Sequence, residues 1–293
     1  LDTAVVLTYP GHFFMTEICV RSIRHWYPEL HQIYIIYDDL TGSWPDYQQD
    51  LQREYDQWFV KPCAMIPYSQ LAGVDRCDVG WWRQQLIKTH IDQLVPGDTW
   101  FVVDGDVIFD ESIDIVNRAP VVARGDPNDP MSQMIDRYVD RALGRENSRV
   151  THDGQYCITS VIPFRVLDRE QLQSMRSYVE RQIGSEFLSW HVDMMASGDI
   201  VGFVPGGDRM VMHEWELIEA WNHLHRPGQY IIEPGGNGYH TYTHTSALMP
   251  GRRFRHSSMR DAEVGRQWIE NQSITVTDEL WHKAQHFHRE KTK

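Results

Sequence analysis

The chain opens on a tight apolar run. Thr3-Ala-Val-Val-Leu-Thr8 is short and rich in β-branched residues, and it ends at Tyr9-Pro10-Gly11. That pattern predicts a buried strand followed by a turn. Over 13–26 the apolar positions take helical spacing, with Phe14, Ile18, Ile23 and Trp26 among them, and Pro28 stops the helix. Ile33-Tyr-Ile-Ile-Tyr37 predicts a second buried strand, ended by Asp38-Asp39. A β-α-β opening implies parallel strands joined by a right-handed crossover.

Further along, the spacing predicts a helix near 46–58, a weak strand near 63–66, and a helix over 80–95. That last helix carries Trp81, Trp82, Leu86, Ile87, Ile91 and Leu94 and is broken by Pro96-Gly97-Asp98. Thr99-Trp-Phe-Val-Val103 is a third clear strand. It runs into Asp104-Gly105-Asp106, and Val107-Ile-Phe109 continues extended. The second half predicts strands at 120–124 and 156–162 and helices at 130–143, 165–183, 186–197 and 213–224. A short strand at 230–233 meets a glycine-rich turn, Pro234-Gly-Gly-Asn-Gly238, and a largely helical tail covers 259–290. No repeat, low-complexity tract or linker composition appears. The expectation is a single α/β domain over 1–293, with a nucleotide-binding half at 1–125 and an acceptor-side half at 126–293.

Composition adds limits. At 293 residues, with 41% hydrophobic and 24% charged residues, a folded core is expected. No apolar run reaches the roughly 18 residues that span a bilayer, and no basic-then-apolar leader is visible at the N-terminus. Cys19, Cys63, Cys77 and Cys157 have wide, irregular spacing that fits neither a zinc site nor a disulfide framework. Reduced thiols in a cytoplasmic protein are the expectation. A formal net charge of −13 argues against a protein that lives by phosphate contacts. It leaves room for a local basic face at Arg252, Arg253, Arg255, His256 and Arg260.

The strongest chemical signal is Val102-Val-Asp-Gly-Asp-Val-Ile-Phe109. A hydrophobic strand delivers two carboxylates to its C-terminal end, where ligands bind in open α/β sheets. Two hard oxygen donors there suit Mg²⁺ or Mn²⁺ bound with a diphosphate. The glycine between them would let backbone approach phosphate or sugar.

The β-α-β opening followed by apolar-apolar-Asp-x-Asp-apolar-apolar-Phe resembles the GT-A glycosyltransferases. Gly80-Trp-Trp-Arg-Gln-Gln-Leu-Ile-Lys88 resembles a Gly-Trp-x-x-Gln-Gln-x-x-Lys motif of bacterial and phage GT-A-like proteins. His213-Glu-Trp-Glu-Leu-Ile218 resembles their Ser-Glu-x-Glu-Leu-Tyr segment, with His213 in place of Ser and Ile218 in place of Tyr. The match runs patchily over 3–225. It implies a Rossmann-like GT-A fold, a mixed sheet flanked by helices. It also implies transfer of a hexose from a nucleotide-sugar, a UDP-sugar by preference.

The resemblance implies roles by position. Thr8, Tyr9, Asp38 and Asp39 would contact the base or ribose. Arg83, Gln84 and Lys88 would lie beside the diphosphate, with Arg83 and Lys88 meeting its oxygens. Asp104 and Asp106 would hold the metal, joined by a histidine, for which His240 and His244 are the candidates. Glu214, or second Asp193, would take the acceptor's proton if the mechanism inverts configuration. The acceptor is expected to be a saccharide or a hydroxymethylated DNA base. The alternatives are a nucleotidyltransferase, which normally wants a more glycine-rich first loop than Thr8-Tyr-Pro-Gly11, or a metal-dependent phosphohydrolase on a similar sheet, whose aspartyl-phosphate kind wants its Asp-x-Asp on the first strand. A noncatalytic binding module leaves the strand-end carboxylates without a purpose.

Overall fold

The computed structural model describes residues 1–8, 13–40, 63–105, 107–109, 121–124, 126–146, 148–152, 155–158, 164–200, 210–226, 233–235 and 254–256. Along the chain the elements are β1 (Thr3–Thr8), α1 (Phe13–Trp26), β2 (Gln32–Tyr37), β3 (Ala64–Pro67), α2 (Gly80–Lys88), α3 (Ile91–Leu94), β4 (Thr99–Asp104) and β5 (Val107–Phe109). There follow β6 (Val121–Arg124), α4 (Pro130–Leu143), β7 (Thr151–His152), β8 (Gln155–Ile158), β9 (Phe164–Asp168), α5 (Arg169–Ile183), α6 (Phe187–Ala196), α7 (Glu214–His225), β10 (Glu233–Gly235) and β11 (Phe254–His256). The helix expected near 46–58 and the helical tail at 259–290 lie outside the described residues.

The chain falls into two compact units: Leu1–Pro67 with Trp100–Ile115 and Thr241–Lys293, and Tyr68–Thr99 with Val116–His240. The expected halves, 1–125 and 126–293, are continuous; these units each draw on separated stretches of chain.

The first unit is built on parallel strands in the order β3-β2-β1-β4. β1 lies inside, and all six of its residues are buried. That explains its continuous apolar composition, since a parallel strand covered on both faces has no wet side to alternate towards. Register pairs Leu7 with Asp104 and Thr8 with Tyr37, so these strands end together. Tyr27, Phe101 and Phe109 form an aromatic cluster with centroids 5.3–5.6 Å apart. The Phe109 backbone N–H donates to Ser22 Oγ at 3.2 Å, tying β5 to α1. β5 pairs antiparallel with β11.

The second unit holds helices α2 to α7 and a mixed sheet, β10-β6-β8-β7, in which β10 runs parallel to β6 and the other pairs are antiparallel. Its helix ends follow sequence rules. Asp129 caps α4 by accepting from the Ser132 N–H at 2.8 Å, Pro130 stands in the first turn, and Gly144 closes the helix at φ 66°.

Two expected helices are redrawn. The one expected over 165–183 begins only at Arg169, because Asp168 forms a capping box with Gln171. Phe164–Asp168 instead alternates half-buried and buried residues as a strand. The one expected over 80–95 breaks at Thr89-His90. Thr89 Oγ1 donates to the Leu86 carbonyl at 2.8 Å, and His90 Nδ1 bonds the same oxygen at 2.8 Å. Local side-chain bonds of this kind compete with the helix for its carbonyls. Among the described residues no helix is long and apolar enough to cross a membrane.

Candidate active site

In the first unit the carboxyl ends of β1, β2 and β4 bring together Thr8, Asp38, Asp39 and Asp104 of the predicted donor-side residues. The Asp38 N–H donates to the Thr8 carbonyl at 3.2 Å, and the Gly105 N–H donates to the Leu7 carbonyl at 2.7 Å. Thr8, Asp38 and Asp104 therefore stand at one edge of the sheet. Asp104 is half-buried at the last residue of its strand. Asp38 is 1% exposed, and its Oδ1 accepts from the Leu40 N–H at 3.0 Å, a turn-forming bond. Asp39 is half-buried. Burial first and the Asp39 charge second push the Tyr37 phenol above its ordinary range.

Gly105 has a tighter reason to be glycine than access for a ligand. A Cβ built on it meets the Leu7 carbonyl oxygen at 2.7 Å and Thr16 Oγ1 at 2.8 Å. Thr16 Oγ1 in turn donates to Thr8 Oγ1 at 2.6 Å. The chain's own first strand and first helix thus fill the space a side chain would need. Tyr9, Asp106, His240 and His244 lie outside the described residues. Among the described residues no group of three or more metal-ligating side chains gathers. Asp104, half-buried at its strand end, carries the hard-oxygen chemistry that suits a divalent cation.

In the second unit the two segments singled out by resemblance meet each other. Lys88 Nζ lies 2.7 Å from Glu214 Oε1, with side chains 3% and 1% exposed. The Gln85 amide, in the orientation its partners require, donates to both Glu214 oxygens, Oε1 at 3.0 Å. Trp81 meets the His213 ring edge-on at 6.5 Å between centroids. Trp81, Gln85 and Lys88 recur at helical spacing along α2, and together they face His213-Glu214 at the start of α7. Lys88 and Glu214, expected at the diphosphate and at the acceptor, are each other's counterion here. Burial would raise the Glu214 carboxyl, but Lys88 and then His213 outweigh it and hold the carboxyl below the usual carboxylate range. His213 Nδ1 is 3.7 Å from Glu214 Oε2, and that nitrogen is buried with no hydrogen-bond partner.

The other predicted residues are placed differently. Arg83 is 4% exposed, and its guanidinium donates to the Cys77 carbonyl at 2.8 Å. Gln84 is half-buried on α2. Asp193 is the seventh of ten residues in α6, outside its first turn. Its side chain is 72% exposed and 3.2 Å from Arg76. The four cysteines are unbridged.

Sequence patterns gave no warning of the ion pairs that surround this seam. Arg165 on β9 pairs with Glu219 on α7 at 3.0 Å, with side chains 5% and 4% exposed. Two cations approach the Trp215 ring, Lys88 Nζ at 4.7 Å and the Arg165 guanidinium at 5.4 Å from its centroid. Arg176 grips Asp92 through two 2.7 Å bonds. The only available signal was an arginine or glutamate at an apolar helical position, which looks the same as a solvated face until the partner is known.

No protein-family model matches the chain, and no curated protein matches it. Among solved structures it is similar to a galactosyltransferase, LgtC, in complex with donor and acceptor sugar analogs, at 12% identity and TM-score 0.45, covering 96% of this chain and 99% of that one. It is also similar to mouse xyloside xylosyltransferase 1 in its apo form, at 11% and 0.40, covering 80% and 85%. A third similar structure is the glycosyltransferase GlyE in Streptococcus pneumoniae TIGR4, at 12% and 0.41, covering 96% of this chain and 62% of that one. At these scores the likenesses carry no argument about what this chain does.

Proposed function

We propose that this chain is a metal-dependent glycosyltransferase of GT-A type that moves a hexose from a nucleotide-sugar, a UDP-sugar by preference, to an acceptor hydroxyl. The observation that supports this best is the edge of the parallel sheet, where Asp104 ends β4 beside the ends of β1 and β2. Asp104 and Asp106, with His240 or His244, would hold Mn²⁺ or Mg²⁺. The ion would supply Lewis-acid neutralisation of the departing diphosphate. Thr8, Tyr9, Asp38 and Asp39 would flank the base and ribose. Lys88 and Arg83 are buried with partners of their own, so in this proposal they shape the second unit rather than meet the diphosphate.

The acceptor class is a saccharide or a hydroxymethylated base in DNA. With wild-type protein and Mn²⁺, a panel of nucleotide-sugars is expected to reveal one donor from which nucleoside diphosphate is released. EDTA should abolish that release reversibly. Asp104→Asn should keep the circular dichroism of the wild type and lose turnover by at least about 10²-fold, the scale of removing a preorganised electrostatic contact. Full turnover in EDTA or in Asp104→Asn would remove the metal from the proposal. A saccharide acceptor should give little salt dependence. A DNA acceptor should give a steep one that flattens in Arg252→Ala/Arg253→Ala/Arg255→Ala.

A further inference from the structure

At the far end of α7 from Glu214, the second unit carries an open cavity of about 850 Å³. Small-ligand sites run from roughly 300 to 1,000 Å³. Its walls come from three places in the chain. Asp98-Thr99 enters where β4 begins, Asp168 to Ser174 covers the first turns of α5, and Trp221, His225 and Arg226 close the end of α7. None of these residues belongs to the donor, metal or base set read from the sequence.

The chain itself fixes the rim. The Arg169 N–H donates to the Asp98 carbonyl at 2.9 Å, and its guanidinium donates to the Gly97 carbonyl at 2.6 Å and the Asp92 carbonyl at 2.8 Å. Arg226 donates to Asp168 Oδ2 at 2.8 Å, and its guanidinium carbon is 5.7 Å from the Trp221 ring centroid.

Charge decides what such a cavity can hold. Three carboxylates, Asp98, Asp168 and Glu170, share the lining with two guanidiniums, Arg169 and Arg226. Each guanidinium already has its counterion there, Asp98 for Arg169 and Asp168 for Arg226. Partial burial first and the Arg145 charge second hold His225 below its ordinary 6.5, so it adds no cation near pH 7. An anion would meet like charge with no unmatched cation among the described lining residues, which disfavours a phosphate-bearing ligand. A neutral hydroxylated ligand finds what it needs. The Asp98 and Glu170 side chains are 92% and 85% exposed, and their carboxylates accept from hydroxyls. Thr99, Gln173 and Ser174 can both donate and accept. The exposed His225 ring, 5.3 Å from Trp221 between centroids, adds apolar ring surface for a sugar's C–H groups.

We infer that this cavity is a binding site for a neutral saccharide, built wholly from the second unit. The inference concerns binding alone, so it stands or falls apart from the transfer reading.

Isothermal titration of the full chain, with no donor and no metal present, tests it. The probes are lactose, maltotetraose and cellotetraose, and at least one should bind with a Kd of about 1 mM or tighter. Glu170→Ala removes an exposed acceptor and should weaken that binding by about 10-fold, the scale of one hydrogen bond to a charged group. His225→Ala removes the exposed ring and should weaken it as well. Both side chains are exposed, so both variants should keep the circular dichroism of the wild type. Inorganic pyrophosphate is the anionic control, and neither substitution should alter whatever it does. Binding of none of the three sugars, or saccharide binding that Glu170→Ala or His225→Ala leaves unchanged, overturns the inference. Pyrophosphate binding that Glu170→Ala strengthens overturns it too, because the cavity would then be an anion site.

Discussion

Gly105 shows how much a single position can carry. As the middle residue of Asp104-Gly105-Asp106 it invites a ligand-based explanation, but its α-hydrogen already faces the Leu7 carbonyl and Thr16 Oγ1. The nearest of them, the Leu7 carbonyl, is backbone and cannot rotate away, and Thr16 Oγ1 is tied to Thr8 by a hydrogen bond. Gly105→Ala is expected to cost about 1–3 kcal/mol of stability, the scale of overpacking a tight interior. A urea melt would measure this without any metal or donor present. An unchanged midpoint would mean that β1 and α1 part more easily than the packing indicates. Asp38 makes a related point: its bond to the Leu40 N–H is a turn former's bond, so the carboxylate has structural work whatever ligand it meets.

The seam between α2 and α7 is a matter of elements. Lys88 and Glu214 are separated by 126 residues and joined by a buried 2.7 Å ion pair. A buried charge that loses its partner is expensive, whereas replacing both partners by neutral groups can be nearly free. Lys88→Met alone should therefore destabilise by about 3–5 kcal/mol, and Lys88→Met/Glu214→Gln should recover most of that loss. Denaturant midpoints of the two variants decide it. Equal losses in both would mean that the pair contributes packing rather than charge balance. The buried Arg165–Glu219 pair, whose guanidinium is 5.4 Å from the Trp215 ring, follows the same rule.

At the scale of the whole molecule, buried histidines make the fold sensitive to acid. Burial foremost lowers His90 to about 4 and His191 to about 3, both below the ordinary 6.5. His191 is locked neutral, with Nδ1 bonded to the Phe187 carbonyl at 2.7 Å and Nε2 to the Tyr138 hydroxyl at 2.8 Å. Between pH 6.5 and these values the unfolded chain binds protons that the fold does not. Stability is therefore complete above 6.5 and falls with pH, at up to about 1.4 kcal/mol per pH unit for each group. Asp136 works the other way. Burial raises it to about 6 despite Arg149 at 2.7 Å, so its contribution is present below its ordinary 3.8 and is lost as pH rises through about 6. Two histidines outweigh one carboxylate, and urea midpoints should fall between pH 6.5 and 4. His90→Gln/His191→Gln should flatten that fall. A midpoint that rises over the interval would contradict it.

The amino-acid sequence by itself determined the elements of the parallel sheet. β1, β2 and β4 were legible because strands covered on both faces must be apolar throughout, and α1 and α4 because periodicity and terminal signals are local properties. The placement of Asp104 at a strand end followed from the same pattern. The start of α5 at Arg169 and the break at Thr89-His90 were decided by particular side-chain bonds, which compete with helix periodicity on nearly equal terms. What only the tertiary structure decided was partnership. Lys88, Glu214, Arg165 and Glu219 each look like a solvated or ligand-binding charge when seen along the chain, since a charge's cost and use depend on what lies within a few ångströms of it. In the fold α2, α7 and β9 bring those charges together away from water, so each is settled by its partner rather than by solvent.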